Sequence, residues 1–256
     1  VTLLGEGPRT VVFGNGFGTG QSTWGHQVAA LQGRCRLVRF DYLGAPDADP
    51  AGYSPERHAT LYGHADDVVA LLEELDVRDA LFVGHSMSAM VGALVAVAAP
   101  ERVARLVFIS GSPRYIDAPG YRGGFSEADI AGVLASAAAD YHAWAGGFSP
   151  VVVNNPATPH VVEAFAAFLR RMRPDVARAT LAAAFLSDFR ELMPRVRQPT
   201  LVIQPSADMA VPLEVGRYLA EVLPSATLRE ISATGHLPHV TAPEQVTALL
   251  EELLAA

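Results

Sequence analysis

Three residues in this sequence have the types needed for acyl transfer, and they lie far apart along the chain. Ser86 stands in Gly84-His85-Ser86-Met87-Ser88, Asp208 in Ser206-Ala207-Asp208, and His236 in Thr234-Gly235-His236. A serine hydroxyl is a poor nucleophile until a base takes its proton. The base in turn needs a partner that fixes its tautomer and orientation. Ser86, His236 and Asp208 are therefore expected to act as nucleophile, base and orienting acid.

Such residues work only if rigid elements deliver them to one place. Each follows a short apolar run: Ala80–Gly84 before Ser86, Thr200–Gln204 before Asp208, and Thr227–Ile231 before His236. These runs read as strands, as do Val11–Phe13, Arg36–Tyr42 and Arg105–Ser110. Leu61–Leu75 has the apolar spacing of an amphipathic helix, and Ser88–Ala99 that of a buried one. Further helices are expected over Glu214–Leu223 and Pro243–Leu254. Apolar strands alternating with helices indicate an α/β fold, with a mostly parallel central sheet flanked by helices.

The pattern changes between residues 112 and 197, where no strand is expected. Helical segments near Glu127–Tyr141, Thr158–Arg173 and Asp175–Ser187 are separated by Gly-Gly and Pro breaks. This stretch reads as a helical cap inserted into one domain, whose core is 1–111 and 198–256.

The strand, turn and helix around Ser86 give the setting of a nucleophile elbow, and the order Ser, acid, His is that of the α/β-hydrolase fold. The motif G-x-S-x-G is broken at its last position, where Ser88 replaces glycine. Acyl transfer also needs donors for the developing oxyanion. Met87 offers one backbone N–H by its position after the nucleophile. The loop Gly14-Asn15-Gly16-Phe17-Gly18 offers a second through Phe17, which would also wall the pocket. The same loop raises a dinucleotide-binding alternative, with Asp41 on a ribose. That pattern fails at Thr19, where G-x-G-x-x-G requires glycine.

Other candidates have plainer explanations. His239 lacks ligand-spaced carboxylates or cysteines and is expected to be structural or at the pocket rim; no metal is expected. His85 is expected to pack beneath the elbow. Asp188 and Glu230 do not follow strands at the right edge. The aromatics of the cap must fill its core, yet some must line a cavity over Ser86. No Arg or Lys is placed by motif to clamp a carboxylate or phosphate. The expected ligand is thus a small, uncharged, hydrophobic ester or lactone, with no cofactor.

The chain has 256 residues, 50% of them hydrophobic, and a net charge of -8. That size supports a substantial core. The acidic balance argues against nucleic acid or an anionic membrane as partner. A single cysteine, Cys35, allows no internal disulfide, and no signal-peptide pattern opens the sequence. The expected location is the cytoplasm.

The sequence resembles the RsbQ-like α/β-hydrolases of bacteria and their plant relatives, the strigolactone and karrikin receptors. The resemblance is carried by Gly16-Phe17-Gly18, Gln21-Ser22, Trp24, Phe40-Asp41-Tyr42 and Phe82-Val83-Gly84-His85-Ser86. It continues through Ser112-Pro113-Arg114-Tyr115, Gly123-Gly124-Phe125, Ser187-Asp188 and Gly235-His236-Leu237-Pro238. It implies a cap of four helices and pocket walls from Phe17, Tyr115, Trp144, Phe148 and Phe185. It further implies a second possible role: slow turnover of a small ligand, signalled to a protein partner through the cap. Two departures, Asn15 and the loop Leu43-Gly44-Ala45-Pro46, are expected to reshape the pocket mouth.

Overall fold

The computed structural model describes residues 1–255. Seven strands form one sheet: β1 (Thr2–Leu4), β2 (Arg9–Gly14), β3 (Cys35–Arg39), β4 (Ala80–His85), β5 (Val103–Ile109), β6 (Thr200–Ala207) and β7 (Ala226–Thr234). Their order is β1-β3-β2-β4-β5-β6-β7. β1 runs antiparallel to β3, and all other neighbours are parallel.

Strand side chains alternate between two faces, so apolar runs in a covered sheet feed two cores. Val12, Phe82, Leu106 and Phe108 point into one core. Val11, Phe13, Leu81, Val83, Val107 and Ile109 point into the other. The first core is closed by α2 (Leu61–Glu74) and α3 (Met87–Ala98), and by α8 (Leu213–Val222). The second is closed by α1 (Gly25–Leu31) and α10 (Pro243–Ala255). Cys35 is buried in the second core, and burial pushes its thiol up.

Between β5 and β6 lie four helices: α4 (Glu127–Ala139), α5 (Tyr141–Val153), α6 (Pro159–Arg171) and α7 (Pro174–Phe185). The resemblance implied these four helices, whereas spacing alone suggested three segments, with Gly146-Gly147 and Pro150 as breaks. They lie inside α5 instead. Pro150 cannot donate to the carbonyl four residues back. The neighbouring Ser149 hydroxyl donates to the Ala145 carbonyl at 2.7 Å. Burial of Tyr141, Ala145, Val152 and Val153 against Val161, Phe165 and Leu169 outweighs the poor local propensity. A short α9 (Pro238–Thr241) follows β7.

Parallel strands place their carboxyl ends along one edge of a sheet, where such folds bind ligands. Gly14 pairs with Gly84, His85 with Ile109, Ile109 with Ile203, and Ala207 with Thr234. The loops after β2, β4, β6 and β7 therefore open at that edge. The insertion is tied to the last of them. The His236 N–H donates to the Val152 carbonyl at 3.0 Å. Gly235 has φ +94°, and a Cβ there would lie 1.9 Å from the Val153 carbonyl oxygen. Replacing Gly235 with Ala should destabilise the fold by more than about 1 kcal/mol, measured by urea denaturation. An unchanged midpoint would mean that the turn can relax away from α5.

Candidate active site

Ser86 sits between β4 and α3 with φ +54° and ψ -120°, a strained conformation for a residue bearing a side chain. The strain is held by hydrogen bonds. The Ser86 N–H donates to the Ile109 carbonyl at 2.9 Å, and the Ala89 N–H donates to the Ser86 carbonyl at 3.0 Å. The turn points the hydroxyl at the loop that follows β7. There the Ser86 hydroxyl donates to His236 Nε2 at 2.8 Å. On the other side of the ring, His236 Nδ1–H donates to Asp208 Oδ2 at 2.9 Å.

Asp208 follows β6, and its side chain has no exposed surface. Burial by itself would raise its pKa. The His236 charge and hydrogen bond, with the Ala210 amide, outweigh burial and hold the carboxyl below its ordinary value. The amides of Ala210 and Val211 donate to Oδ1 at 2.9 and 3.2 Å. Asp208 is thus an ionised acceptor that fixes which nitrogen of His236 carries the proton.

The glycine loop after β2 lies against the elbow. A Cβ on Gly16 would come within 3.2 Å of the Ser86 Cβ and 2.4 Å of His85 Nδ1. This approach brings the loop that carries Phe17 beside Ser86. Met87 opens α3, so its N–H belongs to the first turn, where no intrahelical acceptor exists. The Tyr115 hydroxyl stands 3.4 Å from the Ser86 oxygen. Tyr115 meets Phe185 edge-on at 4.9 Å, Trp144 stacks on Phe148 at 4.5 Å, and Phe17 lies 6.4 Å from Trp144. Phe165 lines a separate surface groove with His26 and His160, and Phe168 borders both that groove and the small cavity beside Phe17 and Met87.

The rivals are accounted for by their contacts. Asp41 accepts from the Gln21 amide and side chain at 2.9 and 2.6 Å, and from Asn15 at 3.2 Å, which leaves no place for a ribose. Asp188 is paired with Arg114 and Arg190. Glu230 is exposed on β7. Asn15, expected to reshape the pocket mouth, turns its side chain inward. It is 1% exposed, donating to the Phe40 carbonyl at 2.7 Å and accepting from Trp24 at 2.9 Å. The loop Leu43–Ala45 does border a small cavity beside Phe17 and Met87.

Beneath the site lie groups that sequence reasoning did not connect. His85 Nε2–H donates to the His236 carbonyl at 2.7 Å. His239, fully buried rather than at a rim, packs 4.4 Å from both His85 and Trp24. Only their spacing around Ser86 and His236 hinted at this, since the contacts are made by folding.

A family model described as the alpha/beta hydrolase family matches residues 11–249. The chain belongs to that family. It is 40% identical to karrikin insensitive 2 receptor CA of Petunia hybrida over 98% of this chain and 93% of the relative. It is 34% identical to strigolactone esterase D14 of Arabidopsis thaliana, covering 99% and 95% of the two chains. A solved hydrolase from Oleispira antarctica superposes with a TM-score of 0.96 at 29% identity, covering 99% of this chain and 93% of that one.

Burial, with the neighbouring His236, pushes His85 down to about 3 from 6.5. Burial, with His58 close by, pushes His64 down to about 4 from 6.5. Both stay neutral in the fold while the unfolded chain binds protons below about pH 6.5. Stability must therefore fall as pH drops from about 6.5 toward 5, on the order of 1 kcal/mol per histidine. Urea midpoints at pH 7 and pH 5 test this. Equal midpoints would mean that these histidines gain protons without unfolding.

Proposed function

We propose that this protein is a serine hydrolase that cleaves a small, uncharged, hydrophobic ester or butenolide-type lactone through an acyl-enzyme. The observation that carries this reading is the continuous relay from Asp208 through His236 to Ser86, with contacts of 2.9 and 2.8 Å. Ser86 Oγ attacks the carbonyl carbon while His236 Nε2 takes its proton. Asp208 stabilises the imidazolium and keeps its orientation. The N–H groups of Phe17 and Met87 receive the developing oxyanion. The tetrahedral centre collapses, and His236 returns the proton to the departing alkoxide. Water then repeats the sequence on the acyl-enzyme. In a lactone the departing oxygen stays attached, so the ring opens and one hydroxy acid is released.

The walls suit such a substrate. Phe17, Tyr115, Trp144, Phe148 and Phe185 are uncharged and mostly apolar, which disfavours an ionic ligand. The Arabidopsis relative is a strigolactone esterase, which supports the same chemistry.

A second reading is a ligand sensor that turns over slowly and contacts a protein partner through the inserted helices. It is favoured by the 40% identity to a receptor. It is also favoured by Val151 in α5 and Leu186 at the end of α7, which are 49% and 58% exposed.

The test is hydrolysis of p-nitrophenyl esters from acetate to octanoate. Activity should fall with chain length and vanish in Ser86→Ala. Undiminished octanoate cleavage would mean a larger pocket than proposed, and a burst followed by slow release would favour the sensor. Absence of Ser86-dependent turnover would sink the hydrolase reading. Asp208→Asn should lower kcat by about 10⁴-fold through the wrong His236 tautomer. Near-normal activity in that variant would remove Asp208 from the relay.

A further inference from the structure

Ser88 occupies the elbow position where the usual motif has glycine. Glycine there makes no side-chain bond, so the hydroxyl invites the question of what it holds. Ser88 is fully buried in the first turn of α3. Its hydroxyl donates to the main-chain carbonyl of Asn15. Its oxygen lies 2.5 Å from the Tyr42 hydroxyl. Ser88 has one proton, already given to Asn15, so Tyr42 is the donor to Ser88. Burial pushes the Tyr42 phenol well above its ordinary value, so it remains a donor throughout the working pH range.

The result is a directed chain, Tyr42 O–H to Ser88 O–H to the Asn15 carbonyl. Each bond in such a chain polarises the next. Asn15 is gripped at its other end too, by Trp24 at 2.9 Å and the Phe40 carbonyl at 2.7 Å. There is little slack between loop and helix: a Cβ on Gly14 would meet the Ser88 Cβ at 2.9 Å. Two residues beyond Asn15 stands Phe17, whose N–H is assigned above to the oxyanion.

We propose that Ser88, backed by Tyr42, is a positioning residue that fixes Asn15 and so aims the Phe17 N–H at the oxyanion. The inference rests on the serine-hydrolase reading above. Ser88 touches neither substrate nor nucleophile, and its effect reaches the reaction only through the loop.

The experiment compares wild type, Ser88→Ala, Tyr42→Phe and the double variant on p-nitrophenyl acetate. Complete loss of an oxyanion donor costs about 10²–10³-fold in kcat. Misaiming one should cost about tenfold, with KM unchanged. Tyr42→Phe should cost less. The double variant should be no slower than Ser88→Ala, because Tyr42 acts through Ser88. Hydrogen exchange should quicken at the amides of residues 15–19 and stay unchanged in α3. Ser88→Gly, which restores the usual residue and keeps the helix start open, should repeat the kinetic loss. Wild-type kcat in Ser88→Ala, multiplied losses in the double variant, or faster exchange throughout the fold would each overturn the proposal. Labelling of wild-type Ser86 by a fluorophosphonate separates the two levels. If wild type is neither labelled nor active, the hydrolase reading fails and takes this inference with it. If it is active and Ser88→Ala matches it, only the positioning role falls.

Discussion

The hydrogen bond between Ser86 and His236 joins residues 150 positions apart in the chain. Nothing local can make such a contact, and a shift of an ångström at either end would break it. The sheet meets that tolerance because β4 and β7 are held in register through β5 and β6. Two apolar cores fix the sheet from both faces, and close-packed interiors resist small displacements. The apolar bulk of the molecule thus serves as the frame for one 2.8 Å contact.

Around that contact the structure changes character. Under the elbow lies a layer of buried polar groups: Asn15, His85, Ser88 and His239. Such groups are costly to bury, and each bond they make limits the geometry available to its neighbours. His85 holds the backbone of His236 from below. Asn15 and Ser88 hold the loop that carries Phe17. The inserted helices hold His236 from above through Val152.

Much of this architecture was legible in the sequence, for a physical reason. Strands in a sheet covered on both faces are apolar runs, and Ala80–Gly84 and Thr200–Gln204 announce themselves as such. Residues just past those runs must lie at one edge, so Ser86, Asp208 and His236 could be placed together without a contact map. What escaped was set by tertiary packing. β1 is three residues long and exists only through pairing with β3. α5 contains Gly146-Gly147 and Pro150, and its helix is stabilised by neighbours rather than by propensity. Asn15 departs from the family pattern and was on that ground expected to reshape the pocket mouth. Its side chain turns inward to Trp24 and Phe40, which sequence spacing does not reveal.

The wide separation of Ser86 and His236 also has a meaning in time. A ribosome adds about 5–20 residues per second, so roughly 8–30 s pass between the synthesis of Ser86 and that of His236. Throughout that interval the imidazole that accepts from Ser86 in the folded chain has yet to be made. On the hydrolase reading proposed above, the order of residues along the chain acts as a safety catch, released only when the last strand docks.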